Sequence, residues 1–115
     1  MKNLFSVIVI LMVFLVSGCL NSSEETEQTI ATDPQERCVE VCREQIAAGV
    51  DLNIGPCLSE KRDVEWNIDD WSCDVAHQPK EIADDTSLNQ CQDYRKKTVT
   101  HFVEVSPNCE FIRKQ

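Results

Sequence analysis

With 115 residues the chain has room for one domain at most, and a targeting segment at its start leaves less still. Eleven basic residues stand against twenty acidic ones, a formal net charge of −9, which excludes nucleic acid as an attractive partner and favours solubility or a cationic one. Seven cysteines in so short a chain point to an oxidising compartment and a small core held by disulfides.

The chain opens on Lys2, followed by Leu4 to Val16, which is apolar apart from Ser6, and then by the small residues Ser17 and Gly18 before Cys19. A basic start, a short apolar run and small residues make residues 1–18 a secretory signal. The apolar stretch, extended to Leu20, falls short of the roughly 20 residues that cross a bilayer core, so an uncleaved anchor is the lesser alternative. Leu15-Val16-Ser17-Gly18-Cys19 resembles the lipobox of prokaryotic lipoproteins. That resemblance implies a lipid on Cys19, which becomes the mature N-terminus, and a membrane-anchored domain on the extracytoplasmic face. Cleavage there removes Lys2 and no acid, taking the charge from −9 to −10. It also leaves an even set, Cys38, Cys42, Cys57, Cys73, Cys91 and Cys109, which reads as a disulfide framework.

Residues 19–33 form an acidic flexible tether. Asn21 to Thr32 holds Glu24, Glu25 and Glu27 among Ser and Thr, with too few large apolar groups to offset the entropy of ordering. The cysteine-rich domain covers residues 34–115. Asp33-Pro34-Gln35-Glu36 signals a helix start, with a cap, a proline at the first helical position and an acid for a capping box. Cys38, Val41, Cys42 and Ile46 then share a face at helical spacing up to Gly49, which predicts a helix from about Pro34 to Ala48. Cys38 and Cys42 point the same way from successive turns, so each must bond elsewhere, and twelve of the fifteen possible connectivities stay open.

Val50 to Arg62 reads as loop, pinned by Cys57 just after the Gly55-Pro56 turn. Trp71 to His77 alternates as a strand, with Trp71, Cys73, Val75 and His77 on one face and Ser72, Asp74 and Ala76 on the other. Lys80 to Gln92 is polar with room for a helical turn. Thr98 to Val105 is a second strand, rich in β-branched residues, and Cys109 to Arg113 returns as a third after the Ser106-Pro107-Asn108 turn. The expected fold class is α+β: one N-terminal helix packed on a short antiparallel sheet of about three strands, stapled by disulfides because the core is small.

Asp51 to Gly55 resembles a calcium loop only superficially, since its glycine is fifth and its twelfth residue is Arg62. There is no Ser–His–Asp signature, no glycine-rich phosphate loop and no basic patch beyond Arg95-Lys96-Lys97. Trp66, Trp71, Tyr94 and Phe102 are candidates for an aromatic ligand surface, although aromatic residues in so small a domain are more often core; Trp71 is expected in the core and Trp66, amid acids, outside it. Candidate chemistry rests on His77 and His101. Both lean to the apolar side of their strands, and meeting there they would hold a metal or form an acid–base pair with Asp74 or Glu104. No other cofactor is expected, and the commoner outcome for such histidines is a hydrogen bond at a strand end. Gly55-Pro56-Cys57-Leu58, Trp71-Ser72-Cys73-Asp74-Val75-Ala76-His77, Asn89-Gln90-Cys91 and His101-Phe102-Val103-Glu104-Val105 together resemble a group of short exported archaeal proteins of unknown function. That resemblance implies an exported cysteine-bearing domain and transfers no activity; Lys80 after Pro79 and the stretch Asp84 to Leu88 depart from it. The reading is a membrane-tethered accessory or binding module, with a small metal-dependent or acid–base enzyme as the alternative.

Overall fold

The computed structural model describes residues 33–115; the signal, the lipobox with Cys19 and most of the tether lie outside the described residues. Helix α1 spans Pro34–Ala47. The Asp33 carboxylate accepts a hydrogen bond from the Gln35 amide at 2.7 Å and starts it. Gly49, at φ +80, ends it: its amide and that of Val50 return to the carbonyls of Ile46 and Gln45, both at 3.0 Å. The buried face is Cys38, Val41, Cys42 and Gln45. Gln45 completes the spacing that Ile46 was expected to fill, and Ile46 is left half exposed at 47%.

Strands β1 (Trp71–Val75), β2 (His101–Val105) and β3 (Phe111–Lys114) form one sheet in that order. The α+β class holds, but the sheet is mixed rather than wholly antiparallel. Trp71 lies opposite His101 and Val75 opposite Val105 in a parallel pair, whereas β3 runs antiparallel to β2. The connection lengths explain this. Ser106 to Glu110 is a hairpin, closed by the Ser106 amide on the Glu110 carbonyl at 2.8 Å. Residues 76–100 form a crossover long enough to bring the chain back to the start of β1, as a parallel pair requires. The crossover carries a 3₁₀ turn at Ile82–Asp85 and a one-turn helix α2 at Gln92–Arg95, the second of which the basic run Arg95-Lys96-Lys97 conceals in the sequence.

The free edge of β1 is covered by residues 56–58, where the Leu58 amide reaches the Cys73 carbonyl at 2.8 Å and the Val75 amide reaches the Pro56 carbonyl at 3.1 Å. Gly55 permits this approach. At φ +72, a Cβ there would stand 3.2 Å from the Val75 carbonyl oxygen and 3.1 Å from the Asp84 carboxylate.

Val75, Val103 and Val105 face α1 and are fully buried or nearly so, with Leu58 the largest fully buried side chain. Among the described residues no aromatic ring is fully buried. Trp66 and Trp71 pack only against the margin of the core, and the Trp66 indole donates to the Trp71 carbonyl at 2.8 Å, so Trp66 is half-buried rather than exposed. Three disulfides supplement this thin core. Cys38–Cys73 ties α1 to β1, Cys42–Cys109 ties it to the β2–β3 hairpin, and Cys57–Cys91 ties the edge segment to the residue before α2. Cys38 and Cys42 thus bond away from each other, as their shared face requires.

Loop closure makes each bond worth about 4 kcal/mol against the unfolded chain, and the dependence on loop length is weak. The double replacement Cys42→Ser with Cys109→Ser, which opens a 67-residue separation, is expected to lower stability by about 4 kcal/mol in urea unfolding monitored by circular dichroism. An unchanged midpoint would mean that burial alone holds the helix on the sheet.

Candidate functional site: a carboxyl-floored cleft on the second sheet face

Helix α1 covers one face of the sheet. On the other face the crossover stands away from the strands and leaves a cleft of about 970 Å³. Alternation along the strands decides what meets it. Cys73, Val75, Val103 and Val105 point to α1, so Asp74 on β1 and Phe102 and Glu104 on β2 point to the cleft. Ile112 and Arg113 continue the floor on β3, and Tyr94 of α2 stands over it, its ring edge-on to Phe102 with centroids 4.9 Å apart.

Asp74 and Glu104 are register partners on adjacent strands, so their carboxyl groups start out side by side. Their surroundings differ sharply. Glu104 accepts a two-bond fork from Arg113, at 2.8 Å from Nε and 3.0 Å from Nη2, and the same guanidinium lies 5.1 Å above the centre of the Phe102 ring. Asp74 has no such cation. Its Oδ1 is fully buried and has no hydrogen-bond partner among the described residues. Burial, then the neighbouring Glu104, and then Asp84 and Glu60 push its pKa up to about 8, so at neutral pH it holds its proton. The other buried oxygen without a partner, on Gln45, belongs to the α1 core and touches no cleft.

The two candidate histidines do not meet. His101 sits opposite Trp71 at the start of the sheet, while His77 lies beyond its far end at Val75, and β1 alone carries the chain about 13 Å between those ends. Each has its own aspartate. His77 Nδ1 is 2.9 Å from Asp84 Oδ1, with Glu81 at 3.6 Å from its other nitrogen. The hydrogen bond to Asp84 raises the pKa of His77. Burial works against the Asp84 charge, yet the Glu81 amide and the His77 ring and amide hold its carboxyl below the usual range. This pair clasps the 3₁₀ turn to the end of β1. At the other end His101 Nδ1 is 2.9 Å from Asp70 and its ring stacks on Trp71 at 4.7 Å. Asp70 also accepts from the Thr100 amide and hydroxyl, at 2.8 and 2.6 Å, and so ties the start of β1 to the start of β2. His101 is exposed, not turned into the core, because it is the first residue of its strand.

Of the expected set, the structure therefore brings Asp74, Glu104 and His77 to one cleft and leaves His101 outside it. His77 is partnered by Asp84 rather than Asp74, which the opposite direction of a strand neighbour prevents. No metal geometry arises from the histidines. Cys57, Glu60 and Cys91 place three donor atoms within 4.8 Å, but the two sulfurs are bonded to each other. Of the aromatic residues considered for a ligand surface, Tyr94 and Phe102 line the cleft and Trp66 and Trp71 do not; Asp84 was missed as a site residue, since it reaches the cleft only through the fold of the crossover. No protein-family model, curated protein or solved structure matches the chain.

The raised pKa of Asp74 has a measurable consequence. The unfolded chain releases this proton near pH 3.8 and the folded chain near 8, so the folded state binds more protons in between and loses stability as pH rises through that window. Asparagine has no proton to lose. Asp74→Asn is expected to raise the thermal midpoint more at pH 8 than at pH 5, by a difference corresponding to at most about 4 kcal/mol. An equal effect at both pH values would show that Asp74 titrates as an ordinary surface acid.

Proposed function

We propose that this protein is a membrane-tethered, extracytoplasmic binding module whose cleft takes a small amphipathic ligand. The observation that carries the reading is a cleft of about 970 Å³ in which Tyr94 and Phe102 stand beside the register-paired carboxyls of Asp74 and Glu104. A concave, largely apolar recess with a few convergent polar groups is where small ligands bind. The lipobox-like Leu15-Val16-Ser17-Gly18-Cys19 and the acidic tether support the address, as do three disulfides, which persist in oxidising compartments. Among the described residues no helix is long and apolar enough to cross a membrane; the attachment proposed, on the lipobox-like residues, is a lipid on Cys19. The likeness to short exported archaeal proteins agrees with the address and adds no ligand.

One observation favours acid–base chemistry as a second reading. Asp74 and Glu104 are adjacent carboxyls of which one holds its proton and the other is clamped by Arg113, the arrangement of an acid beside a base. It needs no histidine, and it predicts a bell-shaped pH profile for any turnover found.

A fragment survey by ¹H–¹⁵N NMR on the full chain in detergent is expected to give shift changes centred on Asp74, Tyr94, Phe102 and Glu104. Changes confined to other surfaces, or none at all, would end the cleft reading. Separately, Cys19→Ser is expected to move the protein from the membrane pellet to the soluble fraction and to remove a lipid mass. A variant that still pellets would show that attachment does not run through Cys19.

A further inference from the structure

We infer that the cleft takes an organic anion, a single acidic head group on an apolar body, with the head at Arg95 and Lys97 and the body against Tyr94 and Phe102. This rests on the cleft being the ligand site. Its ground is which charged side chains of the lining already have partners. Glu104 is held by Arg113 and Asp84 by His77. Lys80 is engaged by Asp85, at 2.6 Å. The unpartnered Asp74 oxygen is sealed beneath the floor, out of a ligand's reach. Arg95 and Lys97 are left. Both line the cleft, and among the described residues neither side chain makes a hydrogen bond or an ion pair. Lys96, between them, does not line it.

The backbone that presents Lys97 is a second, independent observation. Helix α2 closes with the Lys97 amide on the Tyr94 carbonyl at 3.1 Å and the Thr98 amide on the Asp93 carbonyl at 2.8 Å. That closure puts the residue after the cap in the left-handed region, a place usually filled by glycine. Lys97 fills it, at φ +60. A side chain there costs stability, and a lysine that only solvated the surface would serve as well at an unstrained position. The apolar surface begins close by, since Tyr94 adjoins Arg95 on the same turn and stands edge-on to Phe102 at 4.9 Å. A cationic ligand would meet two like charges and find Glu104 and Asp84 engaged. A neutral one would leave both cations unanswered. Because Arg95 and Lys97 are exposed, water and salt screen them, so the preference for an anion is modest and falls with ionic strength.

The test titrates 4-phenylbutanoate, the neutral 4-phenylbutanol and the cationic 4-phenylbutylamine calorimetrically into the full chain in a non-ionic detergent at neutral pH. The acid is expected to bind about fivefold more tightly than the alcohol in about 0.01 M salt and to lose that margin in about 1 M salt. The amine is expected to bind more weakly than the alcohol. Arg95→Gln with Lys97→Gln is expected to bring the acid to the alcohol's affinity, and both residues are exposed, so the fold tolerates the change. Lys97→Gly is expected to raise the thermal midpoint while weakening the acid and leaving the alcohol unchanged, an opposition that a lysine with only a structural role would not give. Acid no tighter than alcohol, or a margin that survives in the double variant or in Lys97→Gly, overturns the anion at this place and leaves the binding module standing. Failure of all three probes overturns this inference, and the binding module falls with it only if the fragment survey also finds no cleft ligand.

Discussion

The attachment of α1 to the sheet through Cys38–Cys73 and Cys42–Cys109 is the constraint from which the rest of the structure follows. The helix takes one face of a sheet only three strands wide, and the two bonds hold it there at points spaced one turn apart on α1, one on β1 and the other on the turn between β2 and β3. Among the described residues the largest fully buried side chains are Leu58, Val75, Val103 and Val105 with Val41 of the helix itself, too little apolar area to fix the helix against its own entropy. With that face closed by sulfur, the other face is left to the crossover. Residues 76–100 contain only two single turns of helix, so they border the sheet without covering it, and a cleft results.

What stands in the cleft is a consequence of strand alternation meeting charge. A five-residue strand that buries Cys73 and Val75 must direct Asp74 the other way, and a parallel neighbour that buries Val103 and Val105 must direct Glu104 beside it. Two carboxyls in register repel unless something intervenes. Arg113 intervenes for Glu104, and the proton does so for Asp74. Holding a carboxyl against its ordinary ionisation costs stability above pH 4, and a fold with so small a core has little stability in reserve. Such local conflicts between position and environment are what binding and catalytic sites are made of.

Much of the scaffold was legible in the sequence because local chemistry decided it. Asp33, Pro34 and Gly49 bound the helix by capping rules, and two cysteines on one face of it had to find partners elsewhere. The three strands follow from alternation and β-branching. The direction of β1 against β2 was not legible, since it depends on how far residues 76–100 travel, and turn chemistry reveals hairpins but not crossovers. Asp74 and Glu104 were legible as acids able to serve a histidine, but their standing side by side was not, because register between strands distant in sequence leaves no local signature. The histidines were assigned to the apolar side from alternation alone. His101 fails that rule by being the first residue of its strand, and His77 by lying past the end of one, where a clasp to Asp84 replaces ladder bonds.

The remaining disulfide joins these two halves of the molecule. Cys57 belongs to the segment that covers the edge of β1 beside Asp74, and Cys91 lines the cleft and stands immediately before α2, which carries Tyr94. Both sulfurs accompany Ser59, whose hydroxyl accepts the Cys73 amide at 3.0 Å. The bond therefore sets the distance between the strand that bears the acid and the turn that bears the ring. Without it, α2 would be held to the sheet by Tyr94 on Phe102 and by the Asp93 amide on Glu60, neither of which reaches the core. The same oxidising chemistry that keeps a thin core folded also shapes the cleft, so in this chain a staple of the fold and a wall of the site are the same covalent bond.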